Sequence, residues 1–143
     1  MRPAVGLMLG LALLACAKPE PGADHYGRGM DAYREKDYAA AANYLQQAAD
    51  SGQVLGMAML AGMLLQRKGI PRDAVKASGW IEKAANQGYV EAQSITGLLY
   101  FNGIGVKPDA AKARLWLGKA ASQGDTQSAW VLENLAERGA IRL

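Results

Sequence analysis

The sequence predicts an all-α protein, an α/α solenoid of about three helix pairs closed by a C-terminal capping helix. Three observations carry that expectation. The run Ala-Ala-x-x-Gly occurs three times, ending at Gly52, Gly88 and Gly124. The step between those glycines is 36 residues both times, with an aromatic residue (Tyr44, Trp80, Trp116) eight positions before each. Half of the 143 residues are apolar, rich in alanine and poor in β-branched side chains, which suits closely packed helices. Self-similarity at a fixed period of this size marks a stack of repeats, each burying its apolar face against the next. Such stacks present long open surfaces rather than closed pockets, and this favours binding over catalysis.

Residues 1–15 stand apart from the fold. Met1-Arg2 is a short basic start, and Ala4 to Leu14 is an unbroken run of apolar residues and glycine. The run is too short to span a bilayer as a stable helix but suits the apolar region of an export signal. It ends in Leu13-Leu14-Ala15-Cys16, and Cys16 is the only cysteine. The segment resembles a bacterial lipobox, which implies a lipid attached at Cys16. The other reading is an ordinary export signal cut near Ala15 or Ala17, with a coincidental cysteine. Lipidation consumes the thiol, so neither a disulfide nor a redox site is expected. By resemblance to enterobacterial lipoprotein sorting, Ala17 implies the outer membrane, facing the periplasm. Residues 16–23 then form a lipidated tether, because Pro19, Pro21 and Gly22 favour an extended, solvated chain.

The repeat domain is expected over 24–143, with units at about 24–52, 53–88 and 89–124 and a capping helix at 126–138. In the first unit, Met30 to Tyr38 leaves room only for a tight helix–turn–helix. The second superposes on the third at 36 residues, with Met59 on Ile95, Gly69 on Gly105, Asp73 on Asp109 and Trp80 on Trp116. It departs at Arg67 and Lys68, which replace Gly103 and Ile104. In the third, Ala92, Ile95 and Leu99 recur at helical spacing over 90–101 and define a helix A. Gly103 and Gly105 break it. Pro108 suits the first position of helix B, with Asp109 complementing the helix N-terminus. Helix B then runs to about Gln123 with Ala113, Trp116, Leu117, Ala120 and Ala121 inward, and Gly124 ends it.

Gly97 lies in mid-helix, where glycine costs about 1 kcal/mol relative to alanine. It is expected to mark a close approach of helix B. At the equivalent position the last helix carries Glu133, which is costly to bury and is expected to cap the stack.

The third unit reads Ala92-Gln93-Ser94-Ile95-Thr96-Gly97-Leu98-Leu99-Tyr100-Phe101-Asn102-Gly103-Ile104-Gly105-Val106, then Asp109, Lys112-Ala113, Trp116 and Lys119-Ala120-Ala121-Ser122-Gln123-Gly124. This pattern resembles the Sel1-like repeat, a relative of the tetratricopeptide repeat, and departs from it at Thr96, where the family has leucine. The second unit departs further, with Ala61 for the helix-A glycine and Leu64 for the tyrosine. The resemblance covers about 26–138. It implies an adaptor or scaffold for protein complexes, often exported, in some cases an outer-membrane lipoprotein. Some small lipoprotein relatives look like immunity proteins against type VI-delivered phospholipases.

In tetratricopeptide-like stacks helix A lines a concave groove. Carried onto this chain, the groove positions include Leu65 in the second unit, Glu91, Ser94, Leu98 and Phe101 in the third, and Trp130 and Asn134 in the last helix. Leu65, Leu98, Phe101 and Trp130 would form an apolar seam with polar flanks, as a protein-binding hot spot needs. A second reading stands beside it, with Trp130 folded over the end of the last helix B and Leu98 packed between units.

Chemistry of other kinds finds no support. The net charge is +3 with scattered Lys and Arg, unlike a nucleic-acid-binding stripe. The one histidine, His25, is read as exposed beside the tether. No spacing suits a metal, no serine sits in a nucleophile motif, and Gly103–Gly105 lacks the Lys-Ser/Thr of a P-loop. The expected catalytic residues, metal, cofactor and small-molecule substrate are therefore none. The leading expectation is a membrane-tethered adaptor that grips another envelope or secreted protein. The alternative is an immunity protein that binds and neutralises an effector in the periplasm.

Overall fold

The computed structural model describes residues 24–141. The segments read as an export signal (1–15) and a lipidated tether (16–23), with Cys16, lie outside the described residues. Among the described residues seven helices follow one another: α1 (His25–Arg34), α2 (Tyr38–Asp50), α3 (Val54–Gln66), α4 (Ala74–Asn86), α5 (Val90–Asn102), α6 (Ala110–Ser122) and α7 (Thr126–Glu137). Among the described residues there is no strand. Each helix packs chiefly on its neighbours in sequence. The pairs α1–α2, α3–α4 and α5–α6 are three units, and α7 stacks on α6. The expected all-α solenoid is the observed fold.

Four aspartates set where helices begin. Asp37, Asp73, Asp109 and Asp125 accept from the backbone N–H of Ala40 (3.0 Å), Lys76 (2.9 Å), Lys112 (3.0 Å) and Ser128 (3.1 Å). A cap of this kind stabilises a helix by about 1 kcal/mol. It also corrects one expectation. Pro108 is not the first helical residue; Asp109 takes the cap and the helix starts at Ala110. Pro108 instead lies against Gly103, where an added Cβ would come 2.5 Å from its Cγ.

Gly97 marks a close approach, as expected. A Cβ there would lie 2.6 Å from Leu117 Cγ and 3.1 Å from the Ala113 carbonyl oxygen of α6. Gly29 plays the same part in the first unit, 2.8 Å from Leu45 Cγ on that test. Between units the contact is tighter still. A Cβ on Gly69 would fall 2.2 Å from Tyr38 Cβ, and one on Gly105 would fall 1.9 Å from the Ala74 carbonyl oxygen. The α3–α4 and α5–α6 turns thus rest on the first residue of the preceding unit's second helix.

The inward stripe of α5 differs from the expected one by a rotation of about one residue. Ile95 is 39% exposed, and Thr96 beside it is 1% exposed. Once Gly97 faces Leu117, the buried positions become 92–93, 96–97 and 99–100, a continuous helical face. Thr96 is consequently buried with its Oγ1 unpartnered among the described residues. Ala121, placed inward by the sequence, is half-buried. On α7 only Ser128 is buried; Val131 and Leu135 are half-buried and Glu133 is exposed. His25 is half-buried rather than exposed.

Candidate protein-binding surface

The first helix of each unit, together with α7, carries the surface in question. The step from Gly29 to Ala61 is 32 residues, against 36 from Ala61 to Gly97 and from Gly97 to Glu133. With this shorter first step, three rows align across the stack: Tyr26, Ala58, Ser94, Trp130; then Met30, Gly62, Leu98, Asn134; then Tyr33, Leu65, Phe101, Glu137. Sequence reasoning placed the second unit, the third unit and the last helix in these rows and missed Tyr26 and Tyr33. The signal was Gly29, whose close packing on Leu45 repeats that of Gly97 on Leu117.

The seven proposed groove residues fall into three environments. Leu65 and Phe101 are half-buried and pack against the core, and Leu98 is half-buried. Glu91, exposed, and Ser94, half-buried, line a cavity of about 480 Å³ together with Ile95, Gln123, Asp125 and Gln127. Trp130 and Asn134 line a smaller hollow of about 140 Å³ with Val131, Leu135 and Arg138. No one hollow holds all seven. Trp130 is 63% exposed, and Asn134 Nδ2 donates to its carbonyl at 2.8 Å.

Polar contacts stiffen this surface at both ends. The Ser94 and Ser128 hydroxyl oxygens lie 2.9 Å apart, tying α5 to α7, and Ser128 Oγ donates to Asp125 at 2.5 Å. The Ser128 hydrogen bond holds the Asp125 carboxyl below its ordinary range. At the other end, Lys68 Nζ donates to Tyr33 Oη at 2.8 Å and lies 5.0 and 5.6 Å from the ring centroids of Tyr33 and Tyr38. Burial pushes the Tyr89 hydroxyl up, and the nearby Glu91 and Tyr26 add to the effect.

Among the described residues, no group of three or more His, Cys, Asp or Glu side chains could hold a metal ion. None of the described helices is long and apolar enough to cross a membrane.

The profile of the family described as Sel1 repeat matches residues 22–53, 54–89 and 90–125. No curated protein matches the chain significantly. Among solved structures, it is similar to a Sel1 repeat protein from Oxalobacter formigenes, at 28% identity and a TM-score of 0.71, over 77% of this chain and 86% of that one. It is also similar to c5321, a protective antigen present in uropathogenic Escherichia coli strains and displaying an SLR fold. There the identity is 28% and the TM-score 0.77, over 83% of this chain but 27% of the antigen. Cysteine rich protein B of Helicobacter pylori shares the fold, with 17% identity and a TM-score of 0.62 over 90% of this chain and 98% of that one. Three matched repeats cover well over half of the sequence, and the chain belongs to the Sel1 repeat family.

Proposed function

We propose that the protein is a non-enzymatic adaptor that holds another envelope protein on the face formed by α1, α3, α5 and α7, and that a lipid on Cys16 tethers it to the membrane. Sel1 repeat proteins generally mediate protein–protein interaction. The observation that carries the finer reading is Trp130, left 63% exposed in the row that also holds Tyr26, Ala58 and Ser94. An indole in water forgoes a large burial gain, and tryptophan is among the residues that dominate binding hot spots.

The test is a pull-down from solubilised envelope with the full chain and with Trp130→Ala. The variant should lose about 2 kcal/mol of binding, roughly thirtyfold in affinity, while circular dichroism shows an unchanged fold. Equal losses of stability and binding would place Trp130 in the core and end the proposal. Recovery of a phospholipase effector as the partner would identify the immunity role instead. The anchor is tested separately: Cys16→Ser should leave the membrane fraction, and palmitate label that persists in it would refute lipidation at this site.

A further inference from the structure

The cleft between the first and second units is an open copy of a slot that the third unit fills from within. Tyr100 of α5 is 7% exposed. Its hydroxyl donates to Glu82 of α4, 3.2 and 3.3 Å from Oε1 and Oε2. The Lys112 ammonium of α6 lies 4.9 Å from the ring centroid. Thirty-six residues earlier the same three positions hold Leu64, Gln46 and Lys76. Leucine is shorter than tyrosine and has no hydroxyl, and beside it lies an open hollow of about 550 Å³ that reaches α2, its lining including Ala42, Gln46, Leu60, Leu64, Ile70 and Lys76. The hollow beside Tyr100 is of similar size, about 540 Å³, but no residue of α4 lines it, and the tyrosine stands between it and Glu82.

We propose that this cleft receives a tyrosine side chain presented by a partner protein. Its ring would lie beneath Lys76 Nζ and its hydroxyl would donate to Gln46 Oε1. Gln46 Nε2 donates to Asp50 at 2.9 Å, which leaves Oε1 to accept. Asp73 is engaged in capping α4. Gln46 stands where Glu82 faces Lys112, so the α2 wall across the cleft from Lys76 is the uncharged Ala42, Asn43 and Gln46, and Asp73 is the carboxylate in the lining. A cation in that setting complements the electron-rich face of a phenol ring. The site is built from α2, α3 and the start of α4, and it stands independently of the reading of Trp130.

The probe is N-acetyl-L-tyrosinamide, titrated into the full ¹⁵N-labelled chain. The amides of Asn43, Gln46, Leu64 and Lys76 should shift together. N-acetyl-L-phenylalaninamide should bind about fivefold more weakly, the worth of one hydrogen bond. Leu64→Tyr refills the slot with the chain's own ring. It should weaken probe binding by on the order of tenfold while raising Tm by about 4 °C or more. Lys76→Met should weaken binding roughly threefold and leave Tm in place. Shifts centred elsewhere, or undiminished binding by Lys76→Met, would overturn the proposal, as would a Leu64→Tyr chain that folds and still binds the probe. A wild-type chain that dimerises where Leu64→Tyr is monomeric would assign the cleft to a second copy and equally overturn it.

Discussion

The junction between the first and second units and the junction between the second and third share a backbone design but differ in what ties them. Both rest a turn glycine, Gly69 or Gly105, on the start of the preceding second helix. In the later junction three polar contacts reinforce that seat. The Ser78 hydroxyl, whose single proton is shared between the Val75 carbonyl at 2.9 Å and the Gly105 carbonyl at 3.1 Å, touches the seat, Tyr100 reaches Glu82, and Gln93 Nε2 donates to the Ala85 carbonyl at 3.3 Å. At the matching positions the earlier junction has Ala42, Leu64 and Met57, none of which can donate. Its own tie is Lys68 on Tyr33, which the later junction lacks because Ile104 replaces the lysine. Close backbone spacing at small residues sets the repeat geometry, and side-chain ties can be exchanged without disturbing it.

The first prediction breaks the shared part. Gly105→Ala should be the most damaging single change, since φ is +70° there and the added carbon meets the Ala74 carbonyl. A left-handed alanine costs about 1–2 kcal/mol and the overlap about 1–3 more, read as a large fall in the urea midpoint. Gly69→Ala should behave alike. A mild effect at either position would mean that the two junctions are not built on the same seat.

A smaller change tests the ties. Tyr100→Leu converts the later junction to the earlier one at its tyrosine contact. It should cost about 2–3 kcal/mol through lost ring packing and an orphaned Glu82 partner, measured by equilibrium unfolding. No loss would show that Tyr100 contributes little more than Leu64 does.

The smallest effect sharpens the contrast in the turns. Arg67 has φ +55° where the third unit has Gly103 at +67°. Arg67→Gly should therefore gain about 0.5–1 kcal/mol, the left-handed strain being larger than glycine's added chain entropy. The gain appears as a Tm rise of a few degrees.

Much of this was legible in the residues. Gly97 could be read as a close approach because a mid-helix glycine needs a packing reason, and Leu117 supplies it. Ile95 and Thr96 were misjudged because hydrophobicity alone ranks isoleucine inward, whereas the glycine beside them fixes the helix rotation. Pro108 misled because proline and aspartate both favour helix starts, and the carboxylate's hydrogen bond decides between them. Of the binding surface, the rows through Leu65, Phe101 and Trp130 were accessible from the 36-residue register. Tyr26 and Tyr33 were not, since the first unit steps by 32. The open slot at Leu64 required three positions from three helices to be compared in space.

The hold on α7 is slight, with one buried residue, Ser128, fixed by Ser94 and Asp125. In a stack whose parts touch only their neighbours, an end opens without the middle. The last helix is the least buried of those described, and a carboxylate caps its start. A carboxyl whose folded pKa is depressed contributes stability at pH above its ordinary range and loses it as pH falls through the lowered value. Lowering the pH is therefore expected to loosen α7 before the inner helices, read as faster amide exchange along 126–137.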